Sequence, residues 1–188
     1  MYIRLLAAFA LYVFVFASND RSPYLYQFPL NISKTLYLVG YSSDLNRWNI
    51  VCVRSEYREF KGGKVRRTMH MDIYQEQEPN WIPQSFITFL YFQDSPIIFS
   101  INVTDVSGGL KNLTGALPSY RVLHYDNDTM VLANRNAGVW ERALCSLWVN
   151  NKYYRKEHKT ELPPMTVIVF DNNCEGPKYI PYGEGCID

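Results

Sequence analysis

The feature that most constrains the fold is a run of short apolar segments, rich in β-branched and aromatic residues, with turn residues between them. Eight such segments follow one another: Thr35–Tyr41, Asn49–Tyr57, Lys64–Tyr74, Gln84–Gln93, Pro96–Val103, Ser119–Asp126, Thr129–Ala133 and Ala143–Val149. Each reads as a strand, and "KGGK" and "DSP" sit where hairpins need them. Eight strands in sequential order fit an up-and-down barrel or a sandwich. In "VRRTMHMDI" one face carries Val65, Arg67, Met69, Met71 and Ile73, and the other Arg66, Thr68, His70 and Asp72. "FITFLYF" is apolar on both faces, which suits a closed barrel with few free edges and a small helix or loop packed outside. After the last strand, "NKYYRKEHKTELPP" reads as solvated and partly helical. "MTVIVFDNNC" reads as either a strand or a short buried helix, because period alone does not separate the two.

The chain starts with "MYIRLLAAFALYVFVFA", one basic residue followed by an apolar run and a small-residue cleavage site. That pattern predicts a secretory signal peptide over residues 1–17 and a single mature domain over residues 18–188. The apolar run is shorter than the roughly 20 residues a membrane-spanning helix needs, which disfavours an uncleaved anchor. No membrane association is expected after cleavage. Without Arg4 the 19 basic side chains become 18, against 18 acidic ones. A neutral chain with no Lys/Arg stripe is not built for nucleic acid.

An extracellular chain gives other residues a meaning. Asn-x-Ser/Thr sequons at Asn31, Asn102, Asn112 and Asn127 are candidate glycosylation sites, which must lie at the surface if occupied. The four cysteines, Cys52, Cys145, Cys174 and Cys186, form an even set in an oxidising compartment, so two disulfides with three possible pairings are expected. A Cys–His hydrolase would need a free thiolate beside an oriented imidazole. Cys145, inside an apolar strand and an even cysteine set, is better read as half of a disulfide than as a nucleophile for His70, His124 or His158. The histidines stand singly, without metal-ligand spacing, and neither a phosphate loop nor a nucleophile elbow is present. The expectation is a binding protein without metal or cofactor, not an enzyme.

An eight-stranded barrel encloses side chains or one small ligand. The chain is 15% aromatic, with fifteen Tyr. Most of these rings read as core, yet aromatic walls with a few polar groups also make a ligand cavity. An organic cation would need aromatic faces and a carboxylate, whereas a lipid would need an apolar cavity.

Four stretches taken together, "YLVGYSSDLNRWNIVC", "VLHYDNDTMVL", "CSLWV" and "FDNNCEGPKYIPYGEGC", carry a resemblance. In order and spacing the chain resembles the tick salivary lipocalins, the family that includes the histamine-binding proteins, over nearly its whole mature length. The resemblance implies an eight-stranded antiparallel lipocalin barrel with a short C-terminal helix, and mediators of host defence as ligands. It also implies the pairings Cys52–Cys186 and Cys145–Cys174. Tyr41, Asp44 and Trp48 match the Tyr…Asp…Trp cluster of amine binders, with one additional residue before the Trp, and Trp148 is a candidate for the cavity wall. Amine binders in the family carry acids where this chain has Val131 and Ser146, so part of the cavity is expected to have lost negative charge. The leading reading is a secreted, monomeric lipocalin that sequesters a small mediator, either a biogenic amine such as histamine or serotonin or a lipid such as a leukotriene. The competing reading is a lipocalin whose outer loops bind a host complement or haemostasis factor, with the barrel filled by its own aromatics.

Overall fold

The computed structural model describes residues 28–45, 49–62, 64–76, 80–93, 100–105, 109–114, 116–134, 141–154, 161–180 and 186. The signal peptide expected over 1–17 therefore lies outside the described residues, as do Trp48 and His158.

Eight antiparallel strands follow the order in which the sequence presents them: β1 (Leu36–Ser42), β2 (Ile50–Lys61), β3 (Lys64–Gln75), β4 (Asn80–Gln93), β5 (Ser100–Asp105), β6 (Ser119–Tyr125), β7 (Thr129–Asn134) and β8 (Cys145–Asn150). Each pairs with its neighbour, and β1 pairs with both β8 and β2, so the sheet closes into a barrel. A short helix α1 (Leu110–Thr114) precedes β6, a longer helix α2 (Pro164–Asn173) follows β8, and a short strand β9 (Pro177–Tyr179) completes the described elements.

The ambiguous "MTVIVFDNN" segment is helical. Pro164 suits a first helical turn, where its missing N–H is not needed. Only Thr166 and Phe170, one turn apart, are fully buried, and they hold α2 against the outer face of β1, β7 and β8. There Tyr37, Val39, Val131, Ala133, Leu147 and Val149 form an outer core with Phe170. The Thr166 and Thr129 hydroxyls meet at 2.6 Å inside it. Close contact at Gly40 completes the joint: a Cβ there would lie 3.1 Å from Phe170 and from the Lys178 carbonyl.

Two disulfides tie the C-terminal segment down. Cys145 on β8 is bonded to Cys174 at the end of α2, and Cys52 on β2 to Cys186, the pairs that the resemblance implies. Cys52 sits at a bulge of β2 with φ of 55°, a conformation that few non-glycine residues adopt. Beyond this bulge β1 exchanges β2 for β9, which pairs with Gly40–Ser42.

The two ends of the barrel differ. At one end the N-terminal segment passes through a single turn of 3₁₀ helix (Pro29–Asn31) and packs Phe28 and Leu30 against Leu36, Val65, Leu90 and Ile101. This end is closed. The other end is framed by the 3₁₀ turn Ser43–Leu45, α1 and the start of β8.

Candidate ligand cavity

Inside the barrel lies a cavity of about 410 Å³, within the range that encloses one small ligand. Its wall follows from strand alternation. On β3, Met69 and Met71 face inward, on the face the sequence pattern assigned to them. On β7, Met130 and Leu132 line it, and on β8, Ser146 and Trp148. Toward the closed end Leu30, Leu90 and Ile101 narrow it, and toward the open end Leu45, Leu110 and Leu117 rim it.

No lining residue among the described ones is charged. The polar side chains of the wall are Tyr41, Ser55, Thr88, Thr114, Tyr120, Asn134 and Ser146. Several of these already hold partners: Ser146 accepts from Trp148 Nε1 at 2.9 Å, the Tyr120 hydroxyl accepts from the Leu117 amide at 2.8 Å, and Thr114 donates to the Leu110 carbonyl at 2.7 Å.

A cation lies just behind the closed end. Arg67 on β3 is fully buried, and its guanidinium donates to the Ser55 hydroxyl (2.8 Å) and to the carbonyls of Ser55 (2.8 Å), Leu30 (3.0 Å), Ile32 (3.3 Å) and Lys34 (2.7 Å). Burial pulls this guanidinium down to about 9, against the upward pull of Tyr57 and Glu56. These five bonds match the five N–H donors of arginine. None is left for a ligand carboxylate, so Arg67 clamps the N-terminal segment across the barrel floor instead of anchoring an acid.

The residues expected from sequence distribute unevenly. Tyr41 and Trp148 line the cavity. Asp44 does not: it lies exposed in the Ser43–Leu45 turn, where its carboxylate accepts from the Ser43 hydroxyl at 3.3 Å. The expectation for Val131 is also corrected. Its side chain points outward into the core beneath α2, because β7 alternates and Met130 and Leu132 take the inward positions. The loss of an acid at 131 therefore does not bear on the cavity wall, whereas Ser146 does lie on it. Among the described residues the aromatic side chains of the wall are Tyr41, Tyr120 and Trp148.

Cys145, being bonded to Cys174, has no thiolate, and His124 stands on β6 with Nε2 3.9 Å from Asp126. Among the described residues no group of His, Cys, Asp and Glu is placed to hold a metal ion, and no helix is long and apolar enough to cross a membrane. Of the sequons, Asn112 and Asn127 are exposed, while Asn31 and Asn102 are half-buried.

No protein-family model matches the chain. Japanin of Rhipicephalus appendiculatus is 29% identical over 154 residues, covering 82% of this chain and 81% of the relative. Japanin-like-RS of Rhipicephalus sanguineus is 28% identical over 153 residues, covering 81% and 80%. The structure of Japanin from R. appendiculatus bound to cholesterol superposes with a TM-score of 0.70 at 31% identity, covering 84% of this chain and 98% of that one. The chain belongs to the tick salivary lipocalins.

Proposed function

We propose that this tick salivary lipocalin is secreted, takes up one neutral, sterol-like lipid in its barrel and withdraws it from the host, blunting the host's response to feeding. The observation that carries this reading is the uncharged wall of the cavity. An ammonium ion inside it would lose its hydration without gaining a carboxylate, and a fatty acid would bury a carboxylate while Arg67 is fully engaged elsewhere. A neutral lipid pays neither cost. The cholesterol bound by Japanin supports the same class of ligand. An open interior gives no support to a barrel filled by its own aromatics, so a host protein as the main target is the weaker reading. The protein acts as a monomer, and the exposed Asn112 and Asn127 are the sequons best placed to carry glycans.

Calorimetric titration with cholesterol, palmitate and histamine tests this. Cholesterol is expected to bind with a Kd of about 1 μM or tighter, roughly 8 kcal/mol, and the other two at least a hundredfold more weakly. Tight binding of histamine or palmitate, or no sterol binding better than about 1 mM, overturns it.

A further inference from the structure

We propose that the open end of the barrel docks briefly on a zwitterionic, phosphatidylcholine-type lipid surface, so that the ligand passes directly between that surface and the cavity. This rests on the neutral-lipid reading above and adds the route by which such a ligand enters.

The apolar lining of the cavity does not stop at the mouth. Leu45 and Leu117 both line the cavity and are both 37% exposed, so the lining emerges at the surface there. The open-end termini of β2, β3 and β4 add a second apolar group outside the cavity. Val51 follows the lining residue Ile50 and is 39% exposed; Trp81 is 42% exposed; neither lines the cavity. Val51 pairs with Asp72, two residues short of Tyr74, and Tyr74 pairs with Trp81, the two ring centroids lying 5.2 Å apart. The other exposed large apolar side chains among the described residues are Phe60 at the closed end and Met165 and Ile168 on α2.

A neutral lipid leaves a bilayer for water slowly, because every apolar carbon it exposes on the way is unfavourable. A carrier that meets the bilayer mouth-first spares the ligand that exposure. Trp and Tyr suit this contact, since their rings settle at the level of the lipid headgroups with an apolar body and a polar tip. The exposed charges at this end are of both signs, Asp44, Glu76 and Glu141 against Lys111 and Arg142. No basic cluster draws the mouth to an anionic membrane, and a zwitterionic surface is the better match. Four partly exposed side chains fall far short of an amphipathic anchor helix, which keeps the contact brief. Such docking departs from the expectation that the mature chain stays off membranes. That expectation rested on the lack of a spanning segment, whereas these residues meet only once the strands pair.

The test follows uptake of a fluorescent sterol by the secreted protein from phosphatidylcholine vesicles. With the vesicles held constant, the uptake rate should rise in proportion to protein concentration, as collision requires. A rate fixed at the sterol's own desorption rate overturns the proposal without any variant having to fold. The double variant Val51→Ser, Trp81→Ser should take up sterol about tenfold more slowly, the size expected for losing two partly inserted apolar side chains. It should still bind sterol presented by cyclodextrin as tightly as the unmodified protein, because neither residue lines the cavity. Phe60→Ser, at the closed end, should change neither reading. Uptake by the double variant at the unmodified rate, equal slowing in Phe60→Ser, or uptake only from vesicles that contain an anionic lipid overturns the proposal. If no sterol binds from cyclodextrin, the neutral-lipid reading falls, and docking is read instead from insertion into a sterol-free phosphatidylcholine monolayer. A rise in surface pressure that the double variant loses supports docking, and no rise overturns it.

Discussion

Replacing Arg67 by methionine removes the clamp that holds the N-terminal segment across the barrel floor. The guanidinium makes five hydrogen bonds, and those to the Ser55 hydroxyl, the Ser55 carbonyl and the Leu30 carbonyl are buried. Bonds from a charged donor contribute about 1.5–3 kcal/mol each, so the three buried ones sum to roughly 5–9 kcal/mol. Methionine restores part of this, since its apolar side chain fills similar space and spares the desolvation that depresses the guanidinium pKa. The acceptors it leaves behind keep the balance unfavourable, and a net loss of about 3–5 kcal/mol is expected. That is a large fraction of the roughly 5–15 kcal/mol that holds a domain together. Urea denaturation followed by tryptophan fluorescence measures it, with an unchanged slope showing that the two end states are the same. Arg67→Lys should recover little, because an ammonium cannot span acceptors that a planar fork reaches. A loss below about 1 kcal/mol for Arg67→Met would refute the view that these bonds close the barrel.

Removing the Cys145–Cys174 bridge with alanines frees a span of 29 residues, for a loss of about 3.5 kcal/mol in the chain-entropy picture. Sterol affinity should be unchanged, since both sulfurs lie outside the barrel with α2; a drop in affinity would place α2 in the binding mechanism. Ser146→Glu sets a carboxylate on the cavity wall and should weaken cholesterol by about tenfold or more, whereas unaltered affinity would put the ligand somewhere else. Stability should fall on acidification in two stages. Burial holds His70 below its ordinary 6.5, so between that value and its folded pKa the unfolded chain binds more protons and stability declines with pH. Glu56 and Asp128 continue the decline through the carboxylate range: burial raises both, but His70, Arg54 and Arg58 pull Glu56 down, and Asn150, Lys34 and Lys152 pull Asp128 down. Midpoints of urea unfolding across about pH 7 to 5 should flatten in His70→Gln, and an unaltered slope there would remove His70 from the linkage.

The strands are legible because their signal is local. Alternation in β3 assigned both faces correctly, with Val65, Met71 and Ile73 buried inside the barrel. Where local signal misleads, pairing explains why. Pro83 argues against a strand, yet β4 runs from Asn80, because its first half pairs with β3 alone among the described pairings and no neighbour needs the missing N–H. "PKY" is too short and too flanked by proline and glycine to announce β9, which forms only because β1 leaves β2 at a bulge.

The site is legible in part for the same reason. Tyr41 and Trp148 lie on strands, whose alternation turns them toward the cavity wall. Asp44 lies on a turn whose direction no pattern sets. Two consecutive strand residues cannot both face inward, so a motif aligned by spacing alone placed Val131 in the wrong environment. Arg67 gave a clue, a charge among Val65, Met69 and Met71 on the apolar face. Its meaning was hidden because three of its five acceptors, the carbonyls of Leu30, Ile32 and Lys34, lie on a chain segment more than thirty residues away.

The central claim is that the barrel carries a neutral lipid, and the most direct measurement is of what the protein carries away from its host. The secreted chain, incubated in vertebrate plasma, is recovered and its bound lipid extracted and quantified by mass spectrometry. About one neutral lipid per chain is expected, with a reduced amount in Ser146→Glu. Recovery of fatty acids or amines in that amount, or of no lipid at all, would contradict it.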